Sequence, residues 1–167
     1  IYEPNDAGND GSRDICSNQV MTTSLFDLYN LLGGTPDNTG VWSGPIGTTN
    51  GFQGTLDVSS MTEAGSPYVF TYTVSSALCV TDTSAVTITI LPLPTASVTA
   101  NPTTICENGT TTLTFTGTPN ATVTYNINGG TNQTITLNAA GTATISVSPT
   151  TTGTTNIVSV ARTGNPT

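Results

Sequence analysis

The chain has 167 residues, only two cations (Arg13 and Arg162) against ten acids, no His and no Lys, and a formal net charge of −8. That balance excludes a phosphate-neutralising surface for nucleic acid and attraction to anionic membranes. It also removes imidazole and amine chemistry, and no run of eighteen apolar residues is present to cross a bilayer as a helix. Reading from the start, residues 1–5 have the character of an exit strand and linker. The segment that follows, EPNDAGNDGSRD, carries Asp6, Asp10 and Asp14 among glycines and asparagines. Hard oxygen ligands on a flexible loop suit Ca²⁺, but the spacing departs from the D-x-D-x-D-G pattern, so a solvated acidic linker is the competing reading.

Cys16 comes next, ahead of SLFDLYNLLGG. There Leu25, Leu28, Leu31 and Leu32 fall at helical spacing, which predicts one or two helical turns near 25–32, ended by Gly33 and Gly34. Trp42 follows the turn Gly34-Thr35-Pro36-Asp37. A tryptophan at this place can fill the space between two packed sheets, as the strand-C tryptophan of immunoglobulin-like sandwiches does, or serve as a sugar-stacking platform. Gly65-Ser66-Pro67-Tyr68 before VFTYTV has the form of a tyrosine corner. Tyr68, Phe70 and Tyr72 share one face of that strand, as core or as a binding row. Cys79 precedes DTSAVTITIL, the last strand of the module. In a sandwich the ends bearing Cys16 and Cys79 can meet, and a bridge between them would contribute about 4 kcal/mol in the chain-entropy account; two buried free thiols are the alternative. The carboxylates Asp27, Asp37, Asp57, Glu63 and Asp82 are scattered, with no sign of the paired acids of a glycosidase. The expectation is therefore no catalysis.

Beyond a linker at 92–95 the sequence is rich in threonine. TTLTFTG, TVTYNIN, QTITLN, ATISVS and NIVSVA place apolar residues at every second position, and Gly, Pro or Asn follow each run. A disordered Ser/Thr stalk lacks that period. Three sequons, at Asn108, Asn120 and Asn132, matter only if the source glycosylates them.

The two halves repeat. Ile15-Cys16-Ser17-Asn18 returns as Ile105-Cys106-Glu107-Asn108, ninety residues on, and Pro4 as Pro94. Gly34-Thr35-Pro36-Asp37 with Trp42 returns as Gly117-Thr118-Pro119-Asn120 with Tyr125, now 83 residues on, so the first copy holds a seven-residue insertion, the helical stretch. The second copy has no match for DTSAVTITIL, and the natural partner of Cys106 would lie past Thr167. The expectation is an all-β chain of tandem immunoglobulin-like antiparallel β-sandwiches: 1–5 an exit and linker from a preceding module, 6–91 the first sandwich, 92–95 a linker, and 96–167 a second sandwich, truncated and lacking its last strand. Cys106 is then unpaired, and Tyr125 is a core aromatic. The acids crowd into residues 1–91, where nine face Arg13; residues 92–167 hold only Glu107 and Arg162.

The pattern C-S-N, L-F-D-L, L-G-G-T-P-D, G-V-W-S-G-P, then Y-x-F-T-Y-T-V and C-x-x-D-T-S-A-V-T-I-T-I resembles the Ig-like and PKD-like repeats of very large Bacteroidota surface proteins. It is closest in kind to SprB-type gliding-motility adhesins exported by type IX secretion. The resemblance covers residues 1–91 well and 92–167 loosely. It implies a secreted, surface-anchored chain of sandwiches with a disulfide per module and no catalytic residues. Its partners would be neighbouring modules of the same chain, with surface polysaccharide or other cell-surface components as further possibilities. The alternatives are a carbohydrate-binding module of a secreted surface protein and a donor-strand-assembled fibre subunit.

Overall fold

The structure is a computed structural model that describes residues 3–20 and 25–162. Ile1 and Tyr2 of the expected linker, and residues 163–167 of the second module, lie outside the described residues. Among the described residues the chain is mostly β, without an α-helix, in several small sheets. It divides into two compact units, one running to Leu93 and the other starting at Pro94.

The first unit contains β1 (Gly11–Cys16), β2 (Leu25–Asp27), β3 (Val41–Ser43), β4 (Thr55–Asp57), β5 (Tyr68–Val74) and β6 (Asp82–Leu91). One sheet has the order β1-β6-β5-β3; β2 and β4 form a separate antiparallel pair. The period of two decides what is buried. Phe70, Tyr72 and Val74 turn inward from β5, and Ser84, Val86, Ile88 and Ile90 from β6, while the residues between them are at least partly solvated. Leu28, Leu56 and Val58 close the core from the other side, all fully buried. Each such aliphatic or aromatic side chain contributes about 1.5–3 kcal/mol through burial. β1 is the exception to the antiparallel pattern. It runs parallel to β6, in register from Gly11 opposite Val86 to Cys16 opposite Leu91.

The predicted helical insert forms differently. Leu25–Asp27 is a strand paired with β4, and a single 3₁₀ turn, Leu28–Leu31, follows. Helix nucleation fixes several residues for one hydrogen bond, and so short a run cannot recover that cost. Pairing with β4 and a bond from the Leu28 N–H to the Gly54 carbonyl (3.2 Å) take the backbone instead, and only Leu28 is driven fully into the core.

The second unit contains β7 (Ala96–Asn101), β8 (Thr111–Gly117), β9 (Ala121–Ile127), β10 (Gln133–Thr136), β11 (Thr142–Val147) and β12 (Thr155–Arg162). Two antiparallel sheets, β11-β8-β7 and β10-β9-β12, share one core. Leu113 and Phe115 from β8 meet Val123 and Tyr125 from β9, with Leu137 between, and the Phe115 and Tyr125 rings lie 4.8 Å apart. The turn into β11 depends on Gly141, at φ +74°, where a Cβ would lie 2.3 Å from the Gly117 carbonyl oxygen.

Candidate functional site

The densest group of chemistry-bearing side chains is an aromatic cluster in the first unit. β5 carries Tyr72 opposite Trp42 of β3, and their rings are 4.8 Å apart. Tyr29, from the 3₁₀ turn, meets Tyr72 and Phe52 edge-on at 5.8 and 5.2 Å. Trp42 is half-buried. Its indole Nε1–H donates to the Phe52 carbonyl at 2.8 Å, and a Cβ on Gly54 would lie 2.4 Å from the ring. The Tyr72 hydroxyl accepts from the Gly40 N–H (2.9 Å) and donates to the Asp37 carbonyl (2.7 Å), and burial pushes its pKa up. Tyr29 donates to the Pro36 carbonyl. Every polar handle in the cluster is thus spent on nearby backbone, and the loop 36–40 is tied to β5 by that one phenol.

Tyr68 lies half-buried at the start of β5. Its hydroxyl accepts from the Thr62 N–H at 3.0 Å and faces the Thr62 carbonyl at 3.3 Å, reaching back over the turn as a tyrosine corner does. The bond from the Thr62 N–H lowers the phenol pKa. Phe70, on the same face, is fully buried. In the second unit Tyr125 is buried, and its hydroxyl donates to the Gln133 side chain at 2.9 Å.

The carboxylates do not converge. Among the described residues no three His, Cys, Asp or Glu side chains form a group that would hold a metal. Asp6, Asp10 and Asp14, the Ca²⁺ candidates, go separate ways. Asp6 accepts from the Gly8 N–H at 2.7 Å, Asp10 accepts from the Ala85 N–H at 2.8 Å, and Asp14 projects outward from β1 opposite Thr89. Asp37 accepts from the Asp6 N–H (3.0 Å), Asp82 from the Ala7 N–H (2.8 Å) and Asp57 from the Ser59 N–H (2.9 Å), which holds the Asp57 carboxyl below its ordinary range. With the bond from the Ser84 hydroxyl to the Gly8 carbonyl (2.6 Å), the Asp10 and Asp82 contacts dock residues 7–10 against the start of β6. The acidic segment is therefore not a free linker, and its Asp6 and Asp10 carboxylates accept from backbone N–H groups.

The expected Cys16–Cys79 bridge is not formed; both thiols are free. The ends bearing them do not meet: Cys16 ends β1, opposite Leu91, whereas Cys79 lies ahead of Asp82 at the other end of β6. The nine-residue rise between those ends is roughly 30 Å. A disulfide requires Cα atoms within about 7 Å. Cys16 is buried, and the Cys79 thiol donates to the Glu3 carbonyl at 3.2 Å. Cys106 is free and exposed.

Sequence reasoning missed two features. One is the backbone-capping work of Asp10, Asp37 and Asp82, whose signal was only their place beside turns. The other is a groove of about 740 Å³ in the second unit, lined in part by Val98, Leu113, Ile127 and Thr155. No protein-family model matches the chain, and a search of curated proteins returned no relative.

Proposed function

We propose that this chain is a load-bearing segment of a long extracellular adhesin or surface filament, built of tandem immunoglobulin-like β-sandwiches and without catalytic activity. Its partners on this reading are neighbouring modules of the same protein. The observation that carries it is the parallel pairing of β1 with β6. The chain enters the first unit through β1 and leaves through β6. Tension on the two ends draws these strands in opposite directions along their own axes. The hydrogen bonds between them are then loaded together in shear rather than opened one after another. Six aligned positions, from Gly11–Val86 to Cys16–Leu91, share the load. The use of acids and phenols as backbone fasteners supports the same reading, as does the repeat of the Cys-and-turn pattern across the two halves.

Pulling the full chain by its ends in a force spectrometer tests this. Opening of the first unit should release about 280 Å of chain at close to 3.5 Å per residue, and at the highest force in the trace. An opening force at or below that of the second unit would sink the mechanical reading. Trp42 bears on the carbohydrate alternative. Its tied indole nitrogen and its tilted contact with the Tyr72 ring leave little of a sugar platform. Polysaccharide binding that disappears in Trp42→Phe would restore that alternative.

A further inference from the structure

The outer face of the sheet β11-β8-β7 is a regular field of hydroxyl and amide side chains. β8 turns Thr112, Thr114 and Thr116 outward, on the face opposite the buried Leu113 and Phe115. In register with these three stand Asn101, Thr99 and Ser97 of β7 on one side. Ser146, Thr144 and Thr142 of β11 stand on the other. All nine are at least partly exposed, while the residues between them, Val98 and Ile145 among them, pack against the core. The face is thus a grid of rows and columns in which no side chain is charged, aromatic or aliphatic.

Strand propensity favours Thr at such positions but does not account for the whole pattern. The sheet β1-β6-β5-β3 of the first unit is also rich in strand formers, yet its outward positions include Asp14, Val69 and Ala85. In the other sheet of the second unit the outward amides bond to one another: Asn126 donates to Asn132 at 3.2 Å and accepts from Asn156 at 3.4 Å. On β11-β8-β7 only the edges do so, Ser97 to the Thr116 carbonyl (3.3 Å) and Thr142 to the Asn138 side chain (3.2 Å). Among the described residues, the hydroxyls of Thr99, Thr112, Thr114, Thr116 and Thr144 bond to no protein group.

Spacing decides which ligand suits this face. Neighbouring columns lie about 4.7–4.9 Å apart across the strands, and successive rows about 6.4–6.8 Å apart along them. The first repeat is close to the shorter oxygen repeat on the prism face of hexagonal ice, and the second falls somewhat below the longer one. Each Thr hydroxyl donates once and accepts twice, which suits it to a water lattice. β-branching fixes χ1, so ordering these hydroxyls costs little entropy, whereas a Lys or Glu in their place would lose far more. Ring stacking of a sugar would need an aromatic side chain, and the face has none. Twist turns each neighbouring strand by about 20–25°, which confines the fit to a patch of this width.

We propose that the outer face of β11-β8-β7 binds ice, with the Thr112, Thr114 and Thr116 column at its centre. The hydroxyl rows hold waters in lattice positions, and the chain adheres to growing ice through them. This goes beyond the load-bearing reading and stands without it.

The test freezes a dilute solution of the full chain slowly, with a label at its amino terminus, and measures the share retained in the ice. A recrystallisation assay on the same protein follows grain growth. The chain should enter the ice and slow grain growth. Thr114→Lys puts a strongly hydrated charge at the centre of the face, and at least about tenfold more of it should be needed for the same effect. Ser97→Lys, on an exposed edge position, perturbs the fold least and should lose activity in the same direction. Val69→Lys, at an exposed position of the first unit, should change nothing. Exclusion of the chain from ice, full retention of Ser97→Lys and Thr114→Lys, or an equal loss in Val69→Lys would each overturn the proposal. Binding to crystalline cellulose or chitin without retention in ice would also overturn it, assigning the face to a polysaccharide. So would self-association that Thr114→Lys abolishes, which would assign it to a second copy.

Discussion

The two units share a pattern but close their cores by different means. The first surrounds its buried side chains on every edge that β5 and β6 offer, and β1 seals the sheet by a parallel pairing. The second uses two three-stranded sheets, and its β12 ends one of them. The buried set follows from that. Ile88 of the first unit is fully buried at the centre of a ladder, whereas Ile157 and Val160 of the second are only partly covered. Similar alternating sequences thus yield a full core or a half-open one according to whether one more strand lies alongside. Strand period assigns a face to each side chain, but neighbours decide how much of that face is dry.

The largest expected effect breaks the comparison directly. Ile88→Ala removes a fully buried side chain that the surrounding ladder prevents from collapsing, and should cost about 3 kcal/mol; Ile157→Ala, at a half-open site, should cost about 1 kcal/mol. Chemical denaturation of both variants gives the ratio. Equal losses would mean that the second core is as closed as the first.

The next effect concerns the fastening of loop 36–40. Tyr72→Phe keeps the packing but leaves the Gly40 N–H and the Asp37 carbonyl without their phenol, which should cost about 2 kcal/mol. Tyr125→Phe loses only a bond to the Gln133 side chain, so a loss of about 0.5–1 kcal/mol is expected. Asp82→Asn then tests the docking of the acidic segment. It weakens a charge-assisted acceptor for the Ala7 N–H, and about 1 kcal/mol should be lost, together with faster amide exchange along residues 7–16. Exchange unchanged in that segment would show that β1 holds without its acid clip.

Much of this architecture was legible in the residues. The runs DTSAVTITIL, TTLTFTG and ATVTYNI alternate so strictly that each became a strand with the expected face inward. Tyr68 and Phe70 were readable from the turn before them. What escaped was non-local. GSRDIC has no alternation to announce a strand. It becomes β1 because Asp10, Asp82 and Ser84 fasten the segment to the start of β6, over seventy residues away. The cysteine bridge failed for the same reason, since its geometry depended on which end of β6 that strand reaches. The leucine spacing of 25–32 was real, yet β4 competed for the same backbone.

The smallest effect, and the one that separates the two phenols of β5, is the dependence on alkaline pH. Both tyrosines have an ordinary pKa of 10.0. Burial raises that of Tyr72, so above pH 10 the unfolded chain loses this proton before the folded one does. The folded state then binds more protons, and stability falls as pH rises through the folded value. Tyr68 has the opposite sign. The hydrogen bond from the Thr62 N–H favours its phenolate, so its contribution is present above pH 10 and is lost as pH falls through the lowered folded value. Stability of the first unit should therefore rise slightly on the approach to pH 10 and decline beyond it. Denaturation midpoints from pH 8 to 12 would trace this curve. Tyr68→Phe should abolish the rise and Tyr72→Phe the decline. A decline that survives in Tyr72→Phe would remove the buried phenol as its source.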